Sequence, residues 1–172
     1  LESGETRDVL CAFHEHDIHC SVLTKNPGKA IKDIDIMSDM AYFKMGTTLT
    51  LLDPDLSKMW EPGAPIGEER IKALKVFADN GIKTWASFEP VIDPVESLKM
   101  LEIVSGFIDH VKIGKINNHP QERLIDWVKF LKDAVSICRD TNMKFYIKDD
   151  LAKYANGIVL SREERDKDFL NV

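Results

Sequence analysis

The sequence predicts an α/β fold in which strands and helices alternate and the strands form a parallel sheet. Short runs rich in β-branched and aromatic residues alternate with longer segments whose apolar residues recur at helical spacing. This alternation is typical of repeated βα units. The chain has 172 residues, of which 44% are hydrophobic, and this is enough apolar material for a sizeable core.

The individual elements follow from the same pattern. Val9, Leu10 and Phe13 mark a first helix, and an apolar stripe from Ile31 to Ala41 precedes the second strand. Later helices have the same spacing, and a turn signal at residues 80–81 ends the one before the third strand. The predicted strands cover residues 18–24, 42–50, 83–88, 110–115 and 144–148.

Two segments depart from the βα pattern. Residues 53–65 contain Pro54, Pro62 and Pro65, and we expect a long loop there because proline disrupts regular backbone pairing. Loops of this length on a barrel are often functional. Residues 1–154 form the predicted α/β domain, and residues 155–172 form a charged tail for which we expect a short helix or partial order.

Composition excludes several classes of protein. A net charge of -6 favours solubility and gives no broad basic field for duplex DNA, so a nucleic-acid substrate would need a local basic site. The three cysteines are widely spaced without a CxxC pair, and we expect reduced thiols in a cytoplasmic protein.

His14 and His16 lie two apart on a helix and do not face each other, so we predict no metal site there. No apolar run is long enough to span a membrane.

Polar residues follow every predicted strand. The carboxyl ends of parallel strands meet at one edge of the sheet, where ligand sites form. These residues are Lys25, Asn26, Thr48, Thr50, Glu89, Lys115, Asn117, Lys148, Asp149 and Asp150. A single threonine or lysine at such a place is ordinary, but five polar strand ends together indicate a site. Strand alternation puts Gly46, Thr48 and Thr50 on one face, where the glycine is expected to leave room for a ligand.

Other conspicuous side chains are better explained by packing. His110 and His119 are expected to be satisfied or solvated, and Cys138 lies within an apolar helical stripe. Trp60 is the exception among the three tryptophans, because it lies in the proline-rich loop beside Glu61, where an aromatic ring could cover an adenine or a substrate.

Four landmarks, in order, resemble a known family. They are Val22-Leu23-Thr24-Lys25-Asn26, Thr47-Thr48-Leu49-Thr50 with Asp53, Glu61-Pro62-Gly63-Ala64-Pro65, and Arg70. The series resembles the radical S-adenosylmethionine (SAM) proteins grouped with spore photoproduct lyase and often labelled DNA repair photolyases. The resemblance covers about residues 6–148 and implies a partial TIM-like barrel, part of a radical SAM (β/α)6 barrel.

The resemblance also implies site residues and cofactors. The complete protein would use SAM and a [4Fe–4S] cluster to cleave SAM reductively to a 5′-deoxyadenosyl radical. The cofactor-binding residues carried over are Lys25, Thr48, Thr50, Glu61, Arg70 and Glu89. The residues expected to face the substrate are Lys115, Asn117 and Lys148. The resemblance assigns neither a hydrogen-atom donor nor a particular substrate, and nucleic acid stays among the candidates.

The sequence departs from the family in one respect. The CxxxCxxC motif that binds the cluster is absent, and Cys11, Cys20 and Cys138 do not reproduce its spacing. We therefore expect the chain to be a carboxy-terminal portion, inactive alone, whose partner is the missing N-terminal half. Exposed sheet edges would also permit a homo-oligomer.

Two other functions stay open at this level. One is an α/β binding scaffold without catalytic activity. The other is a TIM-barrel lyase in which Lys115 or Lys148 forms a Schiff base, which requires a lysine desolvated enough to act as a nucleophile.

Overall fold

Five parallel strands form one sheet whose spatial order follows the chain, β1-β2-β3-β4-β5. The computed structural model describes residues 4–166. The strands are β1 Cys20–Thr24, β2 Phe43–Thr48, β3 Lys83–Val91, β4 His110–Lys115 and β5 Lys144–Ile147. The helices are α1 Glu5–Glu15, α2 Ile34–Asp39, α3 Pro54–Trp60, α4 Gly67–Asp79, α5 Pro94–Val104, α6 Trp127–Asp140 and α7 Asp149–Ala152. Short 3-10 helices cover Pro27–Asp33, Pro120–Leu124 and Glu163–Arg165.

The predicted α/β fold with a parallel sheet is confirmed, and five strand ends need correction. β1 begins at Cys20, β2 covers only Phe43–Thr48 and β5 ends at Ile147, so each is shorter than expected. β3 continues to Val91 beyond its predicted end. Its pairing with β4 becomes irregular after Phe88, which lets the extra residues stay in the strand.

The proline-rich loop contains a helix that the sequence analysis did not predict. The Asp53 carboxylate accepts hydrogen bonds from the amides of Asp55 and Leu56 at 3.0 and 2.8 Å, which caps the start of α3. Pro54 stands at the first helical position, where a missing backbone donor costs nothing. The expectation of an irregular loop was therefore wrong for residues 54–60.

One face of the sheet is buried against the helices. The hydrophobic core joins Met45, Phe88 and Ile113 of the strands to Leu74 of α4 and Leu131 of α6. Because side chains alternate along a strand, the other face carries the residues between them. We call it the inner face, and its members include Gly46, Thr48, Trp85, Ser87, Lys112, Gly114 and Tyr146.

The tail packs against the domain as far as it is described. Ile158 and Leu160 contact the core. Arg139 of α6 binds the Glu164 carboxylate at 2.8 Å, and the Arg165 guanidinium donates to the Ile147 carbonyl at 2.6 Å. Glu163–Arg165 form a 3-10 helix, and residues 167–172 of the predicted tail lie outside the described residues.

Candidate functional site

A buried ion cluster centred on Glu61 lies where β1 and β2 end. The Lys25 ammonium lies 2.8 Å from Glu61 Oε1. Glu61 Oε2 accepts hydrogen bonds from Thr50 Oγ1 at 2.8 Å and from Arg70 Nη2 at 2.6 Å. The structure thus brings together four of the six residues that the family resemblance assigned to the cofactor.

Arg70 holds this cluster to the backbone around it. Its side chain is 1% exposed, and its Nε and Nη1 donate to the carbonyls of Pro65 and Thr48 at 2.7 and 3.0 Å. Close packing at the start of α4 fixes the arginine, since a Cβ on Gly67 would lie 2.2 Å from the Leu51 carbonyl oxygen. Thr48 therefore joins the cluster through its carbonyl.

The cluster keeps Glu61 ionised. Burial by itself opposes the charged form, but the hydrogen bonds from Lys25, Arg70 and Thr50 outweigh it and hold the pKa of Glu61 below its ordinary value. Two cations facing one carboxylate leave the cluster with a net positive charge. Of the three charged groups only Lys25 is open to solvent, with half of its side chain exposed, so it is the member that a ligand can reach.

A second ion pair at the carboxyl edge of the sheet joins Glu89 of β3 to Lys148, which directly follows β5. β4 separates these two strands, so the side chains meet over Gly114. A Cβ on Gly114 would lie 2.8 Å from Glu89 Oε1 and 2.9 Å from Lys148 Cδ. The pair therefore brings a predicted cofactor residue into contact with a predicted substrate residue.

On the inner face, the small residue Gly114 lies nearer the carboxyl ends of the strands than the aromatic residues Trp85 and Tyr146. The Lys112 ammonium lies 5.5 Å from the Trp85 ring and 6.0 Å from the Tyr146 ring. The expectation that Gly46 leaves room for a ligand was wrong, because a Cβ there would lie 2.3 Å from the Trp85 indole. The Trp85 indole therefore fills the space beside Gly46.

Lys115 lies apart from the inner face. Its side chain is 6% exposed and forms an ion pair with Glu122, and its ammonium lies 5.8 Å from the Trp127 ring and 6.0 Å from the Tyr154 ring. Asn117 Nδ2 has a long 3.5 Å contact to the Lys115 carbonyl. Their assignment to the substrate stays a prediction, and these contacts give them a local role in the loop after β4.

Trp60 makes a contact that the sequence could not show. Its ring lies 4.9 Å from that of His119, whose Nδ1 accepts a hydrogen bond from the Gln121 amide at 3.2 Å. The loops after β2 and β4 thereby touch across the end of β3. A role for Trp60 in covering a ligand stays a prediction.

The cysteines do not fit an iron–sulfur cluster. Cys11, Cys20 and Cys138 lie on α1, β1 and α6, and burial raises the pKa of the Cys138 thiol to about 12. Within residues 4–166 no group of three or more His, Cys, Asp or Glu side chains is placed to hold a metal ion. No helix in the described part of the chain is long and apolar enough to cross a membrane.

Comparison with known proteins identifies the fold. The chain resembles Streptococcus suis SuiB bound to S-adenosylmethionine with a TM-score of 0.66 at 15% identity, covering 90% of this chain and 39% of SuiB. It also resembles a domain of pyruvate-formate lyase-activating enzyme from Bacteroides vulgatus with a TM-score of 0.62 at 14% identity, covering 82% of this chain and 88% of that domain. The five parallel strands and their helices thus share a partial α/β barrel fold with these two proteins.

Sequence comparison gives a more limited result. An uncharacterised protein of Methanocaldococcus jannaschii is 36% identical over 87 residues, which is 51% of this chain and 33% of that protein. No family model matches the sequence. The chain therefore spans about a third of the length of the curated relative it matches.

Proposed function

We propose that this chain is the carboxy-terminal portion of a radical SAM enzyme of the spore photoproduct lyase-like type. The observation that carries the proposal is the convergence of Lys25, Thr50, Glu61 and Arg70 at the carboxyl edge of a barrel like that of SAM-bound SuiB. The four landmark segments of the sequence support the particular subtype.

The residues present suit SAM better than they suit its cluster. SAM carries a carboxylate, an ammonium and ribose hydroxyls, and the exposed Lys25 ammonium and the partly exposed Glu89 carboxylate are complementary to these groups. Glu61, Arg70 and Thr50 bind one another and would position Lys25. Bound with a cluster, SAM would supply the radical chemistry.

The cluster ligands would come from the N-terminal half of the same cytoplasmic protein. Such a half would lie at the β1 edge, where the strand has no neighbour among residues 4–166. The chain alone would therefore bind the cofactor weakly and would not turn it over.

The first experiment measures iron, sulfide and the absorption spectrum of the full-length protein after anaerobic reconstitution, with this chain treated identically. A cluster in the full-length protein alone is the expected result. Absence of a cluster from both would overturn the proposal and leave a binding scaffold.

Direct titration with SAM tests the site itself. Lys25→Gln should weaken binding to the reconstituted full-length protein by about tenfold or more, because a charge-assisted hydrogen bond is worth roughly 1.5–3 kcal/mol. Lys72→Gln is the control, since Lys72 pairs with Glu68 on the exposed face of α4. Equal affinities for both variants would remove Lys25 from the site.

A second candidate function rests on Lys148. Burial lowers the pKa of its ammonium, which favours a nucleophilic amine, although the adjacent Glu89 carboxylate acts in the opposite direction. If the protein is a Schiff-base lyase, borohydride should reduce the imine between Lys148 and a carbonyl substrate and so attach the substrate irreversibly to Lys148. Lys148→Gln should then abolish trapping.

A further inference from the structure

The ion pair between Glu89 and Lys148 depends on a glycine. Glu89 comes from β3 and Lys148 follows β5, and the two side chains reach each other only by crossing β4 at Gly114. A Cβ at this position would lie within 3.0 Å of both side chains, so any residue other than glycine would push the pair apart. The strand is thus shaped to permit this contact.

The pair is also accessible. The Glu89 and Lys148 side chains are 30% and 36% exposed, whereas Glu61 and Arg70 are almost fully buried. Ion pairs at this level of exposure are weak and exchange readily with ligand groups. A ligand at the carboxyl edge can therefore replace one partner without opening the core.

The charge of the pair favours an anion as that ligand. Lys148 is its cation, so a negatively charged group can take the place of the Glu89 carboxylate at the ammonium, and a second cation cannot. Asp149 and Asp150 follow Lys148 directly, but Asp149 is bound by Arg165 and Asp150 by Lys153. Neither of these carboxylates therefore occupies the Lys148 ammonium.

We infer that an anionic group of the substrate, a carboxylate or a phosphate, binds the Lys148 ammonium by displacing the Glu89 carboxylate. This inference rests on the proposed function, because it assigns the substrate class of the same site. The displaced Glu89 becomes free to accept hydrogen bonds from the hydroxyl or ammonium groups of a cofactor. Groups that bind Glu89 and groups that bind Lys148 therefore strengthen each other's binding.

The test is an anion titration of the chain itself, followed by NMR of labelled lysine side chains. Inorganic phosphate and acetate are the probes, and the relative strength of their effects identifies which anion the site prefers. The Lys148 signal, assigned by its loss in Lys148→Gln, should shift saturably. In Glu89→Gln the dissociation constant of phosphate or acetate at Lys148 should fall by at least about fivefold, because the competing Glu89 carboxylate is gone.

Gly114→Ala is a second way to free the Lys148 ammonium from Glu89. The added methyl group should separate the two side chains and tighten anion binding at Lys148. Circular dichroism checks that the fold of this variant is intact. Glu68→Gln is the matched control, because it removes the carboxylate from the exposed Lys72 without creating a site. The Lys72 signal should respond only weakly.

Two results would overturn the inference. One is an unchanged phosphate and acetate affinity at Lys148 in Glu89→Gln. The other is a response of Lys72 in Glu68→Gln as strong as that of Lys148. Neither measurement involves the cluster, so a failure of cluster assembly in the full-length protein would sink the proposed function while leaving this result to stand separately.

Discussion

At the scale of single residues, the Arg70 guanidinium is tightly constrained, because it binds one carboxylate and two carbonyls and is almost fully buried. A charge in this position needs all of its partners, because an unpaired buried ion is costly. The cluster is therefore a structural unit as much as a candidate ligand site.

Arg70→Met should destabilise the protein by about 3–5 kcal/mol, since it leaves the Glu61 carboxylate buried with one cation fewer. Urea unfolding at neutral pH measures this change. Lys72→Met removes an exposed ion pair and should change stability by less than about 0.5 kcal/mol. A loss below about 1 kcal/mol for Arg70→Met would show that the cluster relaxes by admitting water.

Gly46→Ala tests the packing of the inner face. The new methyl group would overlap the Trp85 indole, and overpacking of this kind costs about 1–3 kcal/mol. Gly106→Ala is a suitable comparison, because nothing lies within 4 Å of its Cβ position, and it should be neutral or stabilising. If both variants unfold at the same urea concentration, Trp85 does not fill this space.

At the scale of elements, the sequence predicted every strand, because the spacing of apolar residues directly reflects the faces that strands and helices bury. It did not predict α3, since three prolines between 53 and 65 suggested an irregular loop. The signal was present in Asp53 followed by Pro54, the residue types favoured at a helix N-cap and first turn. α5 begins in the same way with Asp93 and Pro94.

Asp53→Ala should cost about 1 kcal/mol of stability, because it removes the cap of α3. Hydrogen exchange should also accelerate in residues 54–60 if this helix depends on its cap. Asp55→Ala removes an exposed carboxylate from the first turn without removing the cap and should have a smaller effect in both measurements. If Asp53→Ala and Asp55→Ala had equal effects, the stabilisation would come from negative charge at the start of α3 and not from the cap.

The site was predictable to a different degree. Placing Lys25, Thr50 and Glu61 near one edge required only the rule that parallel strands end together, with the family resemblance. Their mutual hydrogen bonds could not be predicted, because they depend on side-chain distances. The position of Lys115 could have been predicted from the sequence. Because side chains alternate along a strand, Lys115 lies on the face opposite to Gly114 and therefore away from the inner face.

At the scale of the whole molecule, stability should fall on mild acidification because of His110. This side chain is 5% exposed, and burial together with the nearby charges of Lys44 and Lys112 lowers its pKa to about 4. An unfolded histidine has a pKa of about 6.5. Between these values the unfolded chain binds more protons than the folded one, so stability decreases as the pH falls.

The expected loss from His110 approaches about 3 kcal/mol between pH 6.5 and pH 4. Glu61, with its lowered pKa, adds a further loss below about pH 4.5, where the unfolded chain takes up a proton that folded Glu61 does not. Urea unfolding at a series of pH values measures both. His110→Gln should flatten the curve between pH 6.5 and pH 4 and leave the lower part in place; an unchanged curve would assign the titration to other groups.

The strand order β1-β2-β3-β4-β5 bears on how the protein forms during synthesis. Each strand pairs with the one made just before it, so a nascent chain leaving the ribosome can add one βα unit at a time to a sheet that already exists. Folding then requires no long wait for a distant segment. The contact between Glu89 and Lys148 is an exception, because it spans 59 positions and closes only after β5 has emerged. The candidate substrate site is thus among the last parts of this chain to be completed.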